Sequence, residues 1–216
     1  MGIKRRSLLF GMAALAASPA VVFSKQSSTP RQMAGPFYPL ELPLDNDNDL
    51  TIVKPGGGSA KGEISDLTGK IIDLNGRPLA GLRIEIWQCD ANGRYRHPRE
   101  NGNAPIDHNF QGHGTAITDS QGQYRFRTIK PVAYPGRTPH IHIAVFPEGD
   151  KPFVTQLYIE GHEANQDDFL FNNIPVEKRN LVLAEFIPNS NQPGHLQASF
   201  DIILDRRSGT PVDAVS

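Results

Sequence analysis

At 216 residues with 38% hydrophobic content, the chain is long enough for one well-buried domain and too short for two. Its 22 basic and 23 acidic residues leave a formal net charge of −1 with no basic run or aromatic-plus-arginine stripe, so nothing in it attracts nucleic acid. A single cysteine, Cys89, excludes an internal disulfide and any cysteine-rich metal site, and its place in Ile86-Trp87-Gln88-Cys89 marks it as a strand residue packed in the interior.

The N-terminus reads as a targeting segment: Lys4-Arg5-Arg6, an apolar run from Leu8 to Ala17, then small residues through Ala20. That run is too short for a typical membrane span and Pro19 follows it, so residues 1–24 are expected to be a cleaved export signal rather than an anchor. Arg5-Arg6 ahead of Leu8-Leu9-Phe10 resembles a Tat-type address, which places the mature chain outside the cytoplasm, in the periplasm. That route carries folded proteins, which suits a cofactor loaded before export. Loss of the segment removes three basic residues and no acidic one, for a net charge of −4.

Residues 25–34, rich in Ser, Gln, Thr and Pro, are expected to form a mobile linker. Gly35-Pro36-Phe37-Tyr38-Pro39 follows, an aromatic pair between prolines that suits a rigid cover over a surface or pocket rather than a sheet. Asp45 to Asp49 and Gly56-Gly57-Gly58 are loop. Ile64 to Ile72 predicts a strand that ends at the turn Asn75-Gly76-Arg77-Pro78, and Leu82, Ile84 and Ile86 alternate with Arg83, Glu85 and Trp87 in a second, two-sided strand. After the turn Thr118 to Gly122, Tyr124, Phe126 and Thr128 alternate with Arg125 and Arg127. Pro131 to Pro139 connects to a strand from His140, and Thr155 to Ile159 is another. Phe169 to Asn180 is ambiguous and has room for a short helix, while Leu181 to Ile187 and Ala198 to Leu204 are closing strands. About eight short strands separated by Gly and Pro, with no long helical period, predict an all-β fold: an antiparallel β-sandwich over residues 35–205 with long loops, little helix and a frayed tail at 206–216.

Pro139-His140-Ile141-His142 carries the most chemistry. A strand's period of two puts His140, His142 and Ala144 on one face and Ile141, Ile143 and Val145 on the other, so the isoleucines enter the core and the imidazoles share one free face. Six residues before His140, Tyr134 sits in the turn-forming context Ala133-Tyr134-Pro135-Gly136, which can aim a phenol back at that strand. Tyr95, in Gly93-Arg94-Tyr95-Arg96-His97, is a second candidate. Two phenolates and two imidazoles make a hard, anionic ligand set that favours Fe(3+) over zinc or cuprous copper. A tyrosine of ordinary pKa near 10 ligates at neutral pH only beside a highly charged cation. A ferrous two-histidine-one-carboxylate site is not indicated, because none of the seven histidines has an acid two places later.

With these residues in place, the chain resembles an intradiol ring-cleavage dioxygenase of the protocatechuate 3,4-dioxygenase-like group. The resemblance covers nearly all of the mature chain and rests on Gly35-Pro36-Phe37-Tyr38-Pro39, Ile84 to Gln88, Asn92 to His97, Thr118-Asp119, Tyr124 to Pro131, Arg137 to His142 and Thr155-Gln156-Leu157-Tyr158. It implies a ferric ion held by Tyr95, Tyr134, His140 and His142, with Arg137 and Gln156 lining the pocket; Tyr38 is read as a substrate-binding pocket wall or else a staple for the N-terminal segment. It also implies that a small aromatic diol binds as a chelating dianion, displacing Tyr134, and is opened by dioxygen to a cis,cis-muconate-type diacid. Arg137, always cationic, would stabilise charge on the substrate as it becomes ketonised. Catechol 1,2-dioxygenases carry an N-terminal helical dimerisation region for which this chain has no room, and protocatechuate enzymes pair two homologous chains. Here the Gly-Pro-Phe-Tyr-Pro segment and a full ligand set share one chain, so it builds its pocket alone or as a homo-oligomer. No arginine is assigned to a substrate carboxylate, which leaves protocatechuate, catechol, hydroxyquinol and lignin-derived diphenols open.

The rival reading is a non-catalytic module. Asn75 to Gly81 followed by Thr118 to Phe126 also resembles transthyretin-like and carboxypeptidase-regulatory-like sandwiches, which bind or space without catalysis. Those turns specify fold only, whereas Tyr95, Tyr134, His140 and His142 together have no purpose in such a module. A third reading keeps the metal without the reaction, and Arg137 and Gln156 argue against it. His97, His108, His113, His162 and His195 are read as structural or solvent-facing, and Trp87 as core.

Overall fold

The computed structural model describes residues 26–43, 45–54 and 58–205; the expected export signal, the tail and Gly56-Gly57 lie outside them. Ten strands form two five-stranded sheets. In the first, β1 (Ile64–Asp73) pairs antiparallel with β4 (Gln123–Ile129) and parallel with β9 (Leu196–Ser199) and β10 (Ile202–Leu204), while β8 (Ile187–Pro188) joins β9. The second has the order β3 (His113–Ile117), β2 (Arg83–Trp87), β5 (His140–Phe146), β6 (Phe153–Ile159) and β7 (Leu183–Ala184), antiparallel except for β6 with β7.

The alternation read from the sequence sets which faces meet. Leu67, Ile71, Tyr124, Phe126 and Ile129 of the first sheet pack against Ile84, Ile86, Ile141, Ile143, Val145 and Leu157 of the second in one core. Tight loops return the chain, and one five-residue form recurs three times: Asp73-Leu74-Asn75-Gly76-Arg77, Asp90-Ala91-Asn92-Gly93-Arg94 and Asp119-Ser120-Gln121-Gly122-Gln123. In each, the aspartate Oδ1 accepts from the amides two and four residues on, at 2.8–3.0 Å, and the fourth residue is a glycine at φ of +70° to +77°. Only glycine takes that left-handed conformation without strain. The second of these loops delivers Tyr95.

Several expectations need correction. The sandwich is mixed rather than purely antiparallel, because the closing chain runs alongside β1 in the same direction. That closing stretch is two strands, β9 and β10, broken at Phe200-Asp201, and the expected strand Leu181 to Ile187 is reduced to β7 and part of β8. β3 escaped notice because His113-Gly114-Thr115-Ala116 lacks the β-branched alternation that marks a strand. The ambiguous stretch forms a four-residue helix α1 (Phe169–Asn172) and a 3-10 segment, Val176–Val182. Residues 26–33, expected to be a mobile linker, are docked: Thr29 exchanges hydrogen bonds with Ile203, the Gln32 amide donates to Val154 O, and Thr155 Oγ1 donates to Pro30 O. Among the described residues no helix is long and apolar enough to cross a membrane.

Where β9 gives way to β10, the Phe200 carbonyl crosses Gly69 of β1 so closely that a Cβ there would fall 1.8 Å from it, and the same oxygen accepts from Tyr124 Oη at 2.6 Å. Backbone cannot yield at that distance. Gly69→Ala is expected to cost about 3 kcal/mol and lower the melting temperature by about 10 °C in a thermal unfolding scan; an unchanged midpoint would refute this packing.

Candidate metal centre

Four side chains from three segments converge on the outer face of the second sheet. His140 and His142 come from β5. Tyr95 comes from the loop after β2, and Tyr134 from the connector between β4 and β5. Tyr134-Pro135-Gly136-Arg137 is a tight turn closed by the Arg137 amide on Tyr134 O at 2.9 Å, with Gly136 at φ +81°. Proline at the second position and a positive-φ glycine at the third are what a type II turn requires. The Tyr95 and Tyr134 loops touch at Gly93, where a Cβ would come within 3.1 Å of Ala133 O. Their rings meet edge to face, with centroids 5.4 Å apart.

The two imidazoles present their Nε2 atoms to one point, 3.1 Å from each other. His140 Nδ1 lies 2.7 Å from Thr138 O, and since a carbonyl only accepts, the proton sits on Nδ1 and the Nε2 lone pair is free. Both residues are 1% exposed. Burial, aided by the Arg137 charge, pulls the His140 imidazole down to about 4 and His142 well below its ordinary value, so both are neutral at pH 7. Burial raises both phenols: Tyr95 strongly, with Cys89 and Tyr134 adding, and Tyr134 against the pull of Arg137.

The residues fit a metal ion. Metal–imidazole bonds are about 2.1 Å long, so one ion could be reached by both Nε2 atoms, which stand 3.1 Å apart. Tyr95 Oη and His142 Nδ1 are buried with no hydrogen-bond partner among the described residues, a cost that ligation of Tyr95 would remove. The phenols cannot ionise in this apolar setting unless a cation lies beside them. Trp87, expected in the core, is stacked flat on His142 with centroids 4.9 Å apart and 3° between planes.

Arg137 and Gln156 sit together. Arg137 Nη2 donates to Gln156 Oε1 at 2.6 Å and Nε to Asp168 Oδ2 at 2.8 Å, while Gln156 Nε2 donates to Met33 O at 3.2 Å. Register explains the place of Gln156, directly across from His142 in the β5–β6 ladder. Gln156 is thus occupied in holding Arg137. The Tyr38 hydroxyl donates to buried Glu85 Oε2 at 2.8 Å and its ring stands edge-on to Trp87, contacts that pin the N-terminal segment to the sheet. Phe37 takes the position beside the ligands, stacked on Tyr95 at 4.6 Å and edge-on to Tyr134. Cys89 lies just past β2, buried, its thiol pushed up to about 12 chiefly by burial, and so unreactive.

Sequence reasoning missed Phe37, Asp168 and the stacking role of Trp87. Proline-flanked aromatics hinted at the first, and Asp168 ahead of Phe169 is a legible helix cap, but nothing in the sequence joins it to Arg137. A cavity of about 330 Å³ is lined by Phe37, Trp87, Tyr95, Gln111 and His113, among others. A larger groove, about 860 Å³, is lined by none of the ligands, so size does not locate the chemistry.

Comparison with known proteins gives the family. A family model described as a dioxygenase matches residues 33–206. The protocatechuate 3,4-dioxygenase beta chain of Burkholderia cepacia is 38% identical over 196 residues, covering 85% of this chain and 82% of its own. Catechol 1,2-dioxygenase of Acinetobacter baylyi is 30% identical over 165 residues, covering 68% of this chain and 51% of its own, so the chain spans about half the length of that relative. Among solved structures, the dioxygenase domain of a dioxygenase carbohydrate-binding protein fusion from Streptomyces superposes with a TM-score of 0.65 at 27% identity, covering 83% of this chain and 99% of that one. With a matching family model across the whole sandwich, and a 38% identical relative, the chain belongs to the intradiol ring-cleavage dioxygenases and is an oxidoreductase.

Proposed function

We propose that this protein opens a catechol-type aromatic diol between its two hydroxyl-bearing carbons, placing both atoms of dioxygen in a cis,cis-muconate-type diacid, on a ferric ion held by Tyr95, Tyr134, His140 and His142. The observation that carries the reading is the pair of neutral Nε2 atoms 3.1 Å apart beside two phenols. When bound, ferric iron supplies a Lewis acid that ionises the diol and draws electron density from its ring. The protein does the rest by position. Tyr134, half-buried where Tyr95 is buried, is the more accessible phenol, and its Oη would be the base that takes one of the diol protons. Tyr95 is buried under Phe37. Arg137 lies beside Tyr134, where its fixed fork would stabilise charge on the substrate as the ring becomes ketonised. Phe37 and Trp87 keep water from the ligands.

Substrate and location belong to the same proposal. Arg137 is tied on two sides to Asp168 and Gln156 within the site, so the substrate is proposed as a diol whose hydroxyls alone anchor it. The Lys4 to Ala20 pattern supports export to the periplasm. The non-catalytic module is disfavoured, since such a sandwich needs neither paired imidazoles nor a second-anchored arginine.

The first test is the visible spectrum of the iron-loaded protein. A broad tyrosinate-to-iron band is expected that shifts on anaerobic addition of catechol and changes in Tyr134→Phe; a protein that stays colourless after ferric reconstitution would sink the proposal. Replacing the fork with a point charge separates binding from chemistry. Arg137→Lys is expected to keep the band of the free protein yet lose about 100-fold in kcat/KM by oxygen uptake, in the range for removing one aimed charge-stabilising donor.

A further inference from the structure

Asp168 lies 31 residues beyond Arg137, in the helical excursion between β6 and β7, outside the stretches on which the sequence resemblance rests. We infer that Asp168 is the positioning residue for Arg137, fixing the plane of its guanidinium over the ligand site; this rests on the ring-cleaving reading of that site. The carboxylate is fully committed. Oδ2 accepts from Arg137 Nε at 2.8 Å and from the Thr138 amide at 3.0 Å, and Oδ1 accepts from the Leu170 and Phe171 amides at 3.0 and 2.9 Å. Gln156 Oε1 grips Arg137 Nη2 as the second point, and these two anchors together with the side chain's own stem fix the plane of the rigid fork. The rest of the guanidinium is thereby left beside Tyr134 and Tyr158.

Stability alone does not account for this arrangement. The Asp168 side chain is 0% exposed and that of Arg137 only 9%, and burying such a pair sacrifices hydration that apolar residues would not lose. The cap of α1 needs only an acceptor, which Asn or Ser supplies as well as Asp. What the charge adds is directed at Arg137. Burial alone would raise the Asp168 carboxyl, but the Arg137 hydrogen bond and the Phe171 and Thr138 amides outweigh it and hold the group ionised. A second route leads from Asp168 to the metal ligands, since the Thr138 carbonyl receives His140 Nδ1, and the test must tell the two apart.

Asp168→Asn keeps the helix cap and removes the charge. In the full-length protein it is expected to load iron and show the same visible band as the wild type, bind catechol anaerobically within about threefold, and lose about 10- to 100-fold in kcat. In an Arg137→Ala background the same change is expected to alter kcat by less than about twofold, because its partner is gone. In the metal-free protein, the Arg137 Nε–H resonance should be slowly exchanging in the wild type and exchange rapidly in Asp168→Asn, a readout independent of turnover. Equal losses of kcat in both backgrounds, or no loss in either, would overturn the inference. So would a vanished visible band, which would assign Asp168 to His140 instead. If neither Asp168→Asn nor Asp168→Ser folds, the residue is structural and the inference fails. A wild-type protein that cleaves no diol defeats the functional reading, and the metal-free resonance then still decides whether Asp168 orients Arg137.

Discussion

Everything about this site follows from the period of two in β5. Ile141, Ile143 and Val145 are driven into the core between the sheets, and that burial fixes the register in which His140 and His142 emerge on the opposite face. A slip of one residue would put both imidazoles in the core and three branched side chains at the site. The apolar core therefore does more than hold the sandwich together: it sets the spacing of the ligands. The same ladder places Gln156 across from His142 and Trp87 beside it on the β2 side, so three strands contribute to the site through register alone.

Once the imidazoles face outward they have to be kept from water, and the sheet cannot do that itself. Two irregular segments serve. Residues 31–38 lie over the face, with Met33 O on Gln156 Nε2, Gly35 so near His142 that a Cβ would be 3.3 Å from Cε1, and Phe37 on Tyr95. Pro36 and Pro39 keep this strap out of the ladder, so it is tied by particular polar contacts, among them the Tyr38 hydroxyl on Glu85. On the other side the segment around α1 brings Asp168 to Arg137. The resulting dry chamber keeps the imidazoles neutral and the phenols protonated until a cation arrives.

The sequence made the local features legible and hid the long-range ones, for a physical reason. Alternation, Asp-x-x-Gly loops and the Tyr-Pro-Gly-Arg turn are properties of neighbours in the chain, and β1, β2, β4, β5 and β6 stand where that pattern puts them. β3 was invisible because its strand character comes from pairing with β2 and not from its own residues. The polarity of residues 25–34 suggested a linker, yet a polar strap is suitable where it must meet a sheet's carbonyls, as the Thr29 and Gln32 contacts show. Tyr38 and Phe37 are adjacent and both aromatic, and only the fold decides which one faces the ligands. The resemblance supplied the Tyr95, Tyr134, His140 and His142 set, while Asp168 required knowing where a helix cap lands in space.

Arg137 shows how these layers act on one group. A lone guanidinium near two imidazoles and two phenols would be free to swing toward any anion, including one of the phenolates it should leave to the metal. Here its hydrogen bonds with Asp168 and Gln156 join it to α1 and to β6, and Gln156 in turn joins β6 to the strap through Met33. Floor, roof and side wall thus meet at a single cation. Displacing any one of the three walls would re-aim that charge, while the register of β5 would keep His140 and His142 on one face. The imidazole pair therefore rests on the core, and the two phenols and the guanidinium rest on the segments that cover it.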